Sequence, residues 1–403
     1  MKIRIIFTLS LLCAWALSYA QMGVTTVADI VSVAHSDGEK TSLREEISAK
    51  IKNATDVKVL TLKGGVKYEG QAKGKKPNGY GKAEYANGDT YEGEFVRGVR
   101  QGRGIYTYAD GERYEGAFVD DRQHGKGVYF FNDGRKYDGF WESDYCHGYG
   151  KMEYPNGDIY VGSWSADKRN GTGSYFYTNG ASYSGEWKDD RYNGMGTFIW
   201  SDNTKYVGGW KNGTRHGEGT CYYSNGDEYR GMWHDGARQG KGEYTYADNS
   251  KYTGDYLNDR QQGKGVYVAA TGAVYEGDFQ AGERQGYGKM TYENGAVYEG
   301  EWVAGERCGK GKYTWGNGDV YEGRWSEDIM NGEGILRLAN GMKYRGGFLN
   351  GEEHGNGVAV DADGTRYEGT FEEGQRHGKF IIKDASGNIV RECVYSLGKI
   401  SNK

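Results

Sequence analysis

"YVGSWSADKRNGTGSYFYTNGAS", residues 160–182, reads as one complete structural unit of this chain. Its first five residues alternate, so Tyr160, Gly162 and Trp164 share one face of a strand, and Gly173, Tyr175 and Tyr177 do the same on a second strand. Between the two strands lies a loop of six or seven residues. Asn179-Gly180 then gives the kind of turn that favours hairpins and leads into the next unit. The unit is not alone: tyrosine recurs every 23 residues without insertion or deletion, from Tyr68 and Tyr91 through Tyr344 to Tyr367, fourteen times in all. A glycine follows each of them two residues later. Self-similarity at a fixed period marks a repeat architecture in which each unit contacts its neighbours.

Other positions hold the same register. Four residues after the tyrosine stands Phe, Trp or Tyr in every copy but the first, which has Ala72. A Gly-x-Gly pair such as Gly102 and Gly104 follows, broken only in the last copy by Phe380. The late turn glycine is replaced only by Asn203 and Asn249, and asparagine is the side chain that best tolerates left-handed backbone, so a positive φ is expected there. In these features, from Tyr68 to Ile389, the chain resembles the MORN (membrane occupation and recognition nexus) repeat. The resemblance implies an all-β fold: an elongated, twisted, single-layer antiparallel β-meander of stacked β-hairpins, with a shallow aromatic groove that receives a peptide, helix or tail of a partner.

Outside the repeats, residues 1–20 have the organisation of a secretory signal peptide: Lys2 and Arg4, an apolar run from Ile5 to Leu17, then Ser18-Tyr19-Ala20. The location expected from it is secreted or periplasmic. Residues 21–67 form an N-terminal linker with a short helix over Leu43 to Lys52, capped by Ser42 and Glu45, and a cap strand over Asp56 to Leu62. Repeats occupy 68–389, and 390–403 form a C-terminal cap strand and tail, the closing strand running from Ile389 to Tyr395. Removing the signal leaves 49 Lys+Arg against 56 Asp+Glu, a balance that speaks against nucleic acid as a partner.

No catalytic residue, cofactor or metal is expected. Five of the seven histidines, among them His124, His147 and His216, fall ten residues after their tyrosine, in the loop; equivalent positions in successive repeats are about 10 Å apart, too far to share a metal ion. Cys146, Cys221 and Cys308 are three and four repeats apart, so four free thiols are expected with Cys393. Carboxylates such as Glu276 and Glu299 recur on a solvent-facing strand position, whereas catalysis needs unlike groups converging in one pocket.

Two ladders suggest a binding surface instead. Trp141, Trp164, Trp187, Trp210 and Trp233 occupy consecutive repeats, and with Tyr160, Tyr183 and Tyr206 they make a candidate groove for a protein or peptide. Arginines stand eight or nine residues after their tyrosines, among them Arg169, Arg191, Arg215 and Arg238, a candidate anion edge. Attachment to a membrane surface through phospholipid head groups, or binding of carbohydrate, are the alternative functions, and unpaired sheet edges make self-association a further expectation.

Overall fold

Between the two strands of a repeat, the computed structural model, which describes residues 42–401, has a two-residue turn in place of the expected loop. In the quoted unit the strands run Ile159–Ser165 and Lys168–Phe176, and the turn residues Ala166 and Asp167 have φ of 47° and 64°. Two successive left-handed residues make the hairpin turn whose twist matches that of the strands, and Asp, Asn and Gly, which tolerate that region, dominate it: Asp189-Asp190, Asp235-Gly236, Asn258-Asp259. The residues assigned to a loop belong to the second strand. They fit because the strand bulges: Gly162 pairs with Gly173 but Trp164 pairs with Arg169, and Gly171 within the bulge has φ 89°. The five histidines of the repeats therefore lie on strands, not in loops.

The link to the next repeat is as the asparagine exceptions require. Tyr177 N–H donates to the Ala181 carbonyl at 3.0 Å, with Gly180 at φ 88°, and Asn203 and Asn249 take the same place at 67° and 69°.

The described residues form two units, divided between Tyr192 and Asn193. Each is an open, single-layer antiparallel meander in which strands pair with their neighbours in sequence; together the units contain 31 strands. In the first unit, helix α1 (Leu43–Lys52) has the expected capping box: Glu45 N–H donates to Ser42 Oγ at 3.3 Å, and Ser42 N–H to Glu45 Oε2 at 3.1 Å. The helix buries Ile47 and is tied to the sheet by Lys50 Nζ on Tyr80 Oη at 2.8 Å and by Glu46 with Arg103 at 2.7 Å. Strand β1 (Val57–Thr61) pairs with Lys67–Gln71 as the N-terminal edge. In the second unit, Ile389–Ser396 pairs with the strand Gln375–Lys383. Phe380 is buried there, and its ring lies over Gly369, where the repeat tyrosine lies in other copies. The signal segment 1–20 and the start of the linker lie outside the described residues.

A single layer has no second sheet to cover it, so the rings cover one another. Tyr160 lies across the facing pair Gly162 and Gly173, so close that a Cβ on Gly173 would be 2.3 Å from Tyr160 Oη. Its hydroxyl donates to the Ser163 carbonyl at 3.0 Å. Tyr160 then meets Trp164 of its own repeat at 5.2 Å and 85°, and Trp187 of the next at 5.2 Å and 79°. Trp164 Nε1 donates to the Gly150 carbonyl at 3.2 Å, so the indole is satisfied as well as packed. The edge-to-face chain recurs in both units, and each such pair contributes roughly 0.5–1.5 kcal/mol beyond burial.

Position nine of the repeat, counted from the tyrosine, faces the same side and closes it. Where it is arginine, the guanidinium lies on the ring of the following repeat and reaches the next hairpin turn, except in the last repeat, where Arg376 lies 3.5 Å over its own Tyr367. Arg169 is 4.5 Å from the Trp187 centroid, with Nε on Asp190 Oδ1 at 2.9 Å. Arg307 repeats this with Trp325 at 4.4 Å and Asp328 at 2.8 Å. In the second unit Glu353 occupies the position instead, and burial pushes its carboxyl up to about 7 against the opposing pull of Arg376.

Two outcomes follow from this packing. Gly173→Ala drives a methyl into the Tyr160 ring and should lower stability by about 1–3 kcal/mol, read from urea denaturation; an unchanged midpoint would mean the ring yields freely. Glu353 is protonated more readily folded than unfolded, so its contribution is complete below its ordinary range and is lost as pH rises through about 7. Glu353→Gln should therefore melt like the parent in mild acid and higher than the parent above neutrality, a difference that thermal melts across pH will either display or refute.

Candidate functional site

The proposed groove residues form the floor of the fold rather than an open groove. Trp141, Trp164, Trp187, Trp210 and Trp233 are 2–7% exposed, and Tyr160, Tyr183 and Tyr206 are fully buried. Burial pushes the Tyr206 phenol up to about 12 and raises those of Tyr160 and Tyr183 as well. The tryptophans divide between the units, three in the first and two in the second.

The arginine edge also separates into two kinds. Arg169, Arg215 and Arg238 stand at position nine and turn onto rings. Arg215 is 4.0 Å from the Trp233 centroid and donates to the Gly236 carbonyl at 2.7 Å, and Arg238 is 5.2 Å from Tyr256 with Nε on Asp259 at 3.0 Å. Arg191 stands at position eight, points the other way by strand alternation and is exposed. Only position eight presents a cation to solvent as an anion edge requires.

What remains accessible on the ring side is a second aromatic ladder, carried by position fifteen on the second strand and position seventeen just beyond its end. In the first unit Tyr106, Tyr108, Tyr129 and Phe131 step along it with centroids 4.5–5.9 Å apart, and Tyr154, Tyr175 and Tyr177 continue at 4.5–5.7 Å. Most are half-exposed. Carboxylates of the preceding connection accept their hydroxyls: Tyr106 gives Asp89 a hydrogen bond at 2.6 Å, Tyr175 gives one to Asp158 at 2.9 Å, and Tyr129 bonds Glu112. Against opposing desolvation, the Tyr106 hydroxyl and the Ala109 N–H hold Asp89 below the usual carboxylate range, and the Thr178 N–H, the Asn156 amide and the Tyr175 hydroxyl do the same for Asp158.

The ladder breaks in the repeat beginning at Tyr137. Cys146 stands at position nine and Met152 at position fifteen, so a guanidinium and a phenol are both missing from one step. There the surface opens into a trough of 690 Å³, with Phe131, Tyr154, Trp141 and Trp164 among its walls and Asp144 and Asp167 at its rim. Burial raises the Cys146 thiol well above its ordinary range, which disfavours the thiolate. The repeat-to-repeat comparison of position nine was the signal for this site in the sequence, and pooling positions eight and nine hid it. A wider hollow of 830 Å³ on the other face of the second unit is lined by glycines and by Lys241, Lys264 and Glu276. Two of its lysines pair with Asp255 and Asp278 at 2.8 and 2.7 Å, and Tyr287 is the one aromatic ring among its lining residues.

One cluster lay beyond the comparison of equivalent positions. His234, from the first strand of its repeat, lies beside His216 with centroids 5.0 Å apart, and with Asp235 their ligand atoms fall within 4.8 Å of one another. The four cysteines from Cys146 to Cys393 are unpaired.

No curated protein matches the chain. Among solved structures it is similar to the SAS-4 TCP domain of Drosophila melanogaster bound to a proline-rich motif, at 14% identity and TM-score 0.25 over 39% of this chain and 85% of that one. It is also similar to the CPAP G-box domain, at 12% and 0.29 over 50% and 99%, and to virginiamycin B lyase of Staphylococcus aureus, at 12% and 0.12 over 79% and 93%. These likenesses are too slight to carry anything over. The model of the MORN repeat matches fourteen consecutive segments, from residues 68–90 to residues 367–379, in register with the tyrosine ladder. By that match over most of its length, the chain belongs to the MORN repeat family.

Proposed function

We propose that this protein is a non-catalytic extracytoplasmic scaffold that binds an extended segment of a partner protein along its second-strand aromatic ladder, with the trough at Tyr154 as the docking point. The trough carries the reading: aromatic rings interleaved with charged groups, Arg135, Asp144, Asp167 and Arg169 among them, offer an extended peptide both stacking area and polar partners. The extracytoplasmic part rests on the secretory organisation of residues 1–20. The non-catalytic part rests on repetition, which presents like groups at even spacing. Inward commitment of Arg169, Arg215 and Arg238 weakens the membrane alternative, since anionic head groups need cations facing outward.

Selection of random displayed peptides on the folded protein tests this. Enriched peptides should bind the parent and the control Glu299→Ser, whose change lies in the other unit, yet lose at least about tenfold in affinity for a Phe131→Ser, Tyr154→Ser double variant. Enrichment of peptides indifferent to the double variant would sink the reading. So would capture of anionic vesicles or oligosaccharides, but not peptides, through those two rings.

A further inference from the structure

Six hairpin turns place aspartate at their second residue with positive φ: Asp121, Asp144, Asp167, Asp190, Asp259 and Asp328. Four of them receive an arginine Nε from position nine of the preceding repeat, at 2.8–3.1 Å: Arg100 on Asp121, Arg169 on Asp190, Arg238 on Asp259 and Arg307 on Asp328. The other two are consecutive and pair with no arginine, although Arg169 and Arg135, the latter 4.3 Å over the Phe131 ring, line the same trough. Asp144 takes the backbone N–H of Gln123 at 2.7 Å, while the Gln123 amide is given to Tyr108 at 3.1 Å. Asp167 takes the backbone N–H of Cys146 at 2.7 Å and lies against its thiol. Both carboxylates are exposed, and neither forms an ion pair among the described residues. Both stand at the rim of the 690 Å³ trough.

We propose that the trough is an arginine-receiving site: a partner's guanidinium takes the place that the chain fills with its own arginine in neighbouring repeats, ion-paired to Asp167 and stacked on the ladder. This rests on the reading of the trough as a peptide-binding surface and names its ligand. Planar guanidinium suits both features at once, pairing with carboxylate in a fixed fork and stacking on rings, as ammonium does not. Spacing refines the ligand. Asp144 and Asp167 are one repeat apart, two strands, or about 9.6 Å. An extended β-strand offers same-side residues at roughly 6.6 or 13 Å. A polyproline II segment offers residues i and i+3 on one side at about 9.3 Å. The expected ligand is therefore a segment with arginines three residues apart in polyproline II conformation.

The probe is a fluorescein-labelled Gly-Arg-Pro-Pro-Arg-Gly peptide, followed by anisotropy at low ionic strength. It should bind the parent protein, and the same peptide with lysines should bind several-fold more weakly. Asp144→Asn with Asp167→Asn keeps a side chain that tolerates positive φ and should cost about tenfold or more in affinity. Cys146→Arg supplies the missing guanidinium from within the chain; it should raise the melting temperature and exclude the peptide, with folding verified by circular dichroism. Binding that survives both sets of changes, or equal binding of the lysine peptide, overturns the proposal. Selected peptides that need Phe131 and Tyr154 but contain no arginine would overturn the arginine assignment while leaving the peptide-binding reading in place.

Discussion

A tyrosine ring lying flat across two facing glycines is the contact on which this architecture depends. A one-layer sheet has no opposing sheet to bury its apolar face, so the cover must come from within the repeat. The ring of Tyr160 does this only because Gly162 and Gly173 leave no Cβ beneath it. Once the ring lies there, its hydroxyl reaches the Ser163 carbonyl, and its edges are presented to Trp164 and Trp187. Each repeat thus offers its neighbour the surface that its neighbour needs. The 23-residue period tolerates no insertion because a slip of one residue would turn every ring to the other face.

Upon this floor the position-nine arginines act as a partial second layer. Stacking on Trp187 while bonding the turn at Asp190 ties one hairpin to the next through side chains as well as backbone. An arrangement of this kind makes its own exceptions informative. Glu353 brings a half-buried carboxyl where a cation stacks elsewhere, and desolvation raises its proton affinity. Cys146 brings a small thiol, and a trough results. In this repeat protein the surface opens where the repeat departs from its own rule, because the backbone holds the space open regardless of the side chain that would fill it.

The two-strand repeat unit, its antiparallel pairing with its neighbours, the capped helix at Leu43–Lys52 and the closing strand from Ile389 were legible in the residues, since each is set by local backbone preference or by alternation along one strand. Positive φ at Asn203 and Asn249 was legible for the same reason. Two things were not. Tryptophan in five consecutive repeats reads equally as a groove or as a core, because burial depends on what neighbouring strands lay over each ring. The fate of each arginine was hidden as well: taken as a loop, residues 166–172 have no faces, so positions eight and nine look alike. The two-residue turn and the bulge at Gly171 make that segment a strand, where one residue of offset separates Arg169, stacked on Trp187, from Arg191, turned to solvent. Period and pairing follow from residues close along the chain, while which face is open follows from the pairing of strands across a bulge, and that is a property of the folded sheet.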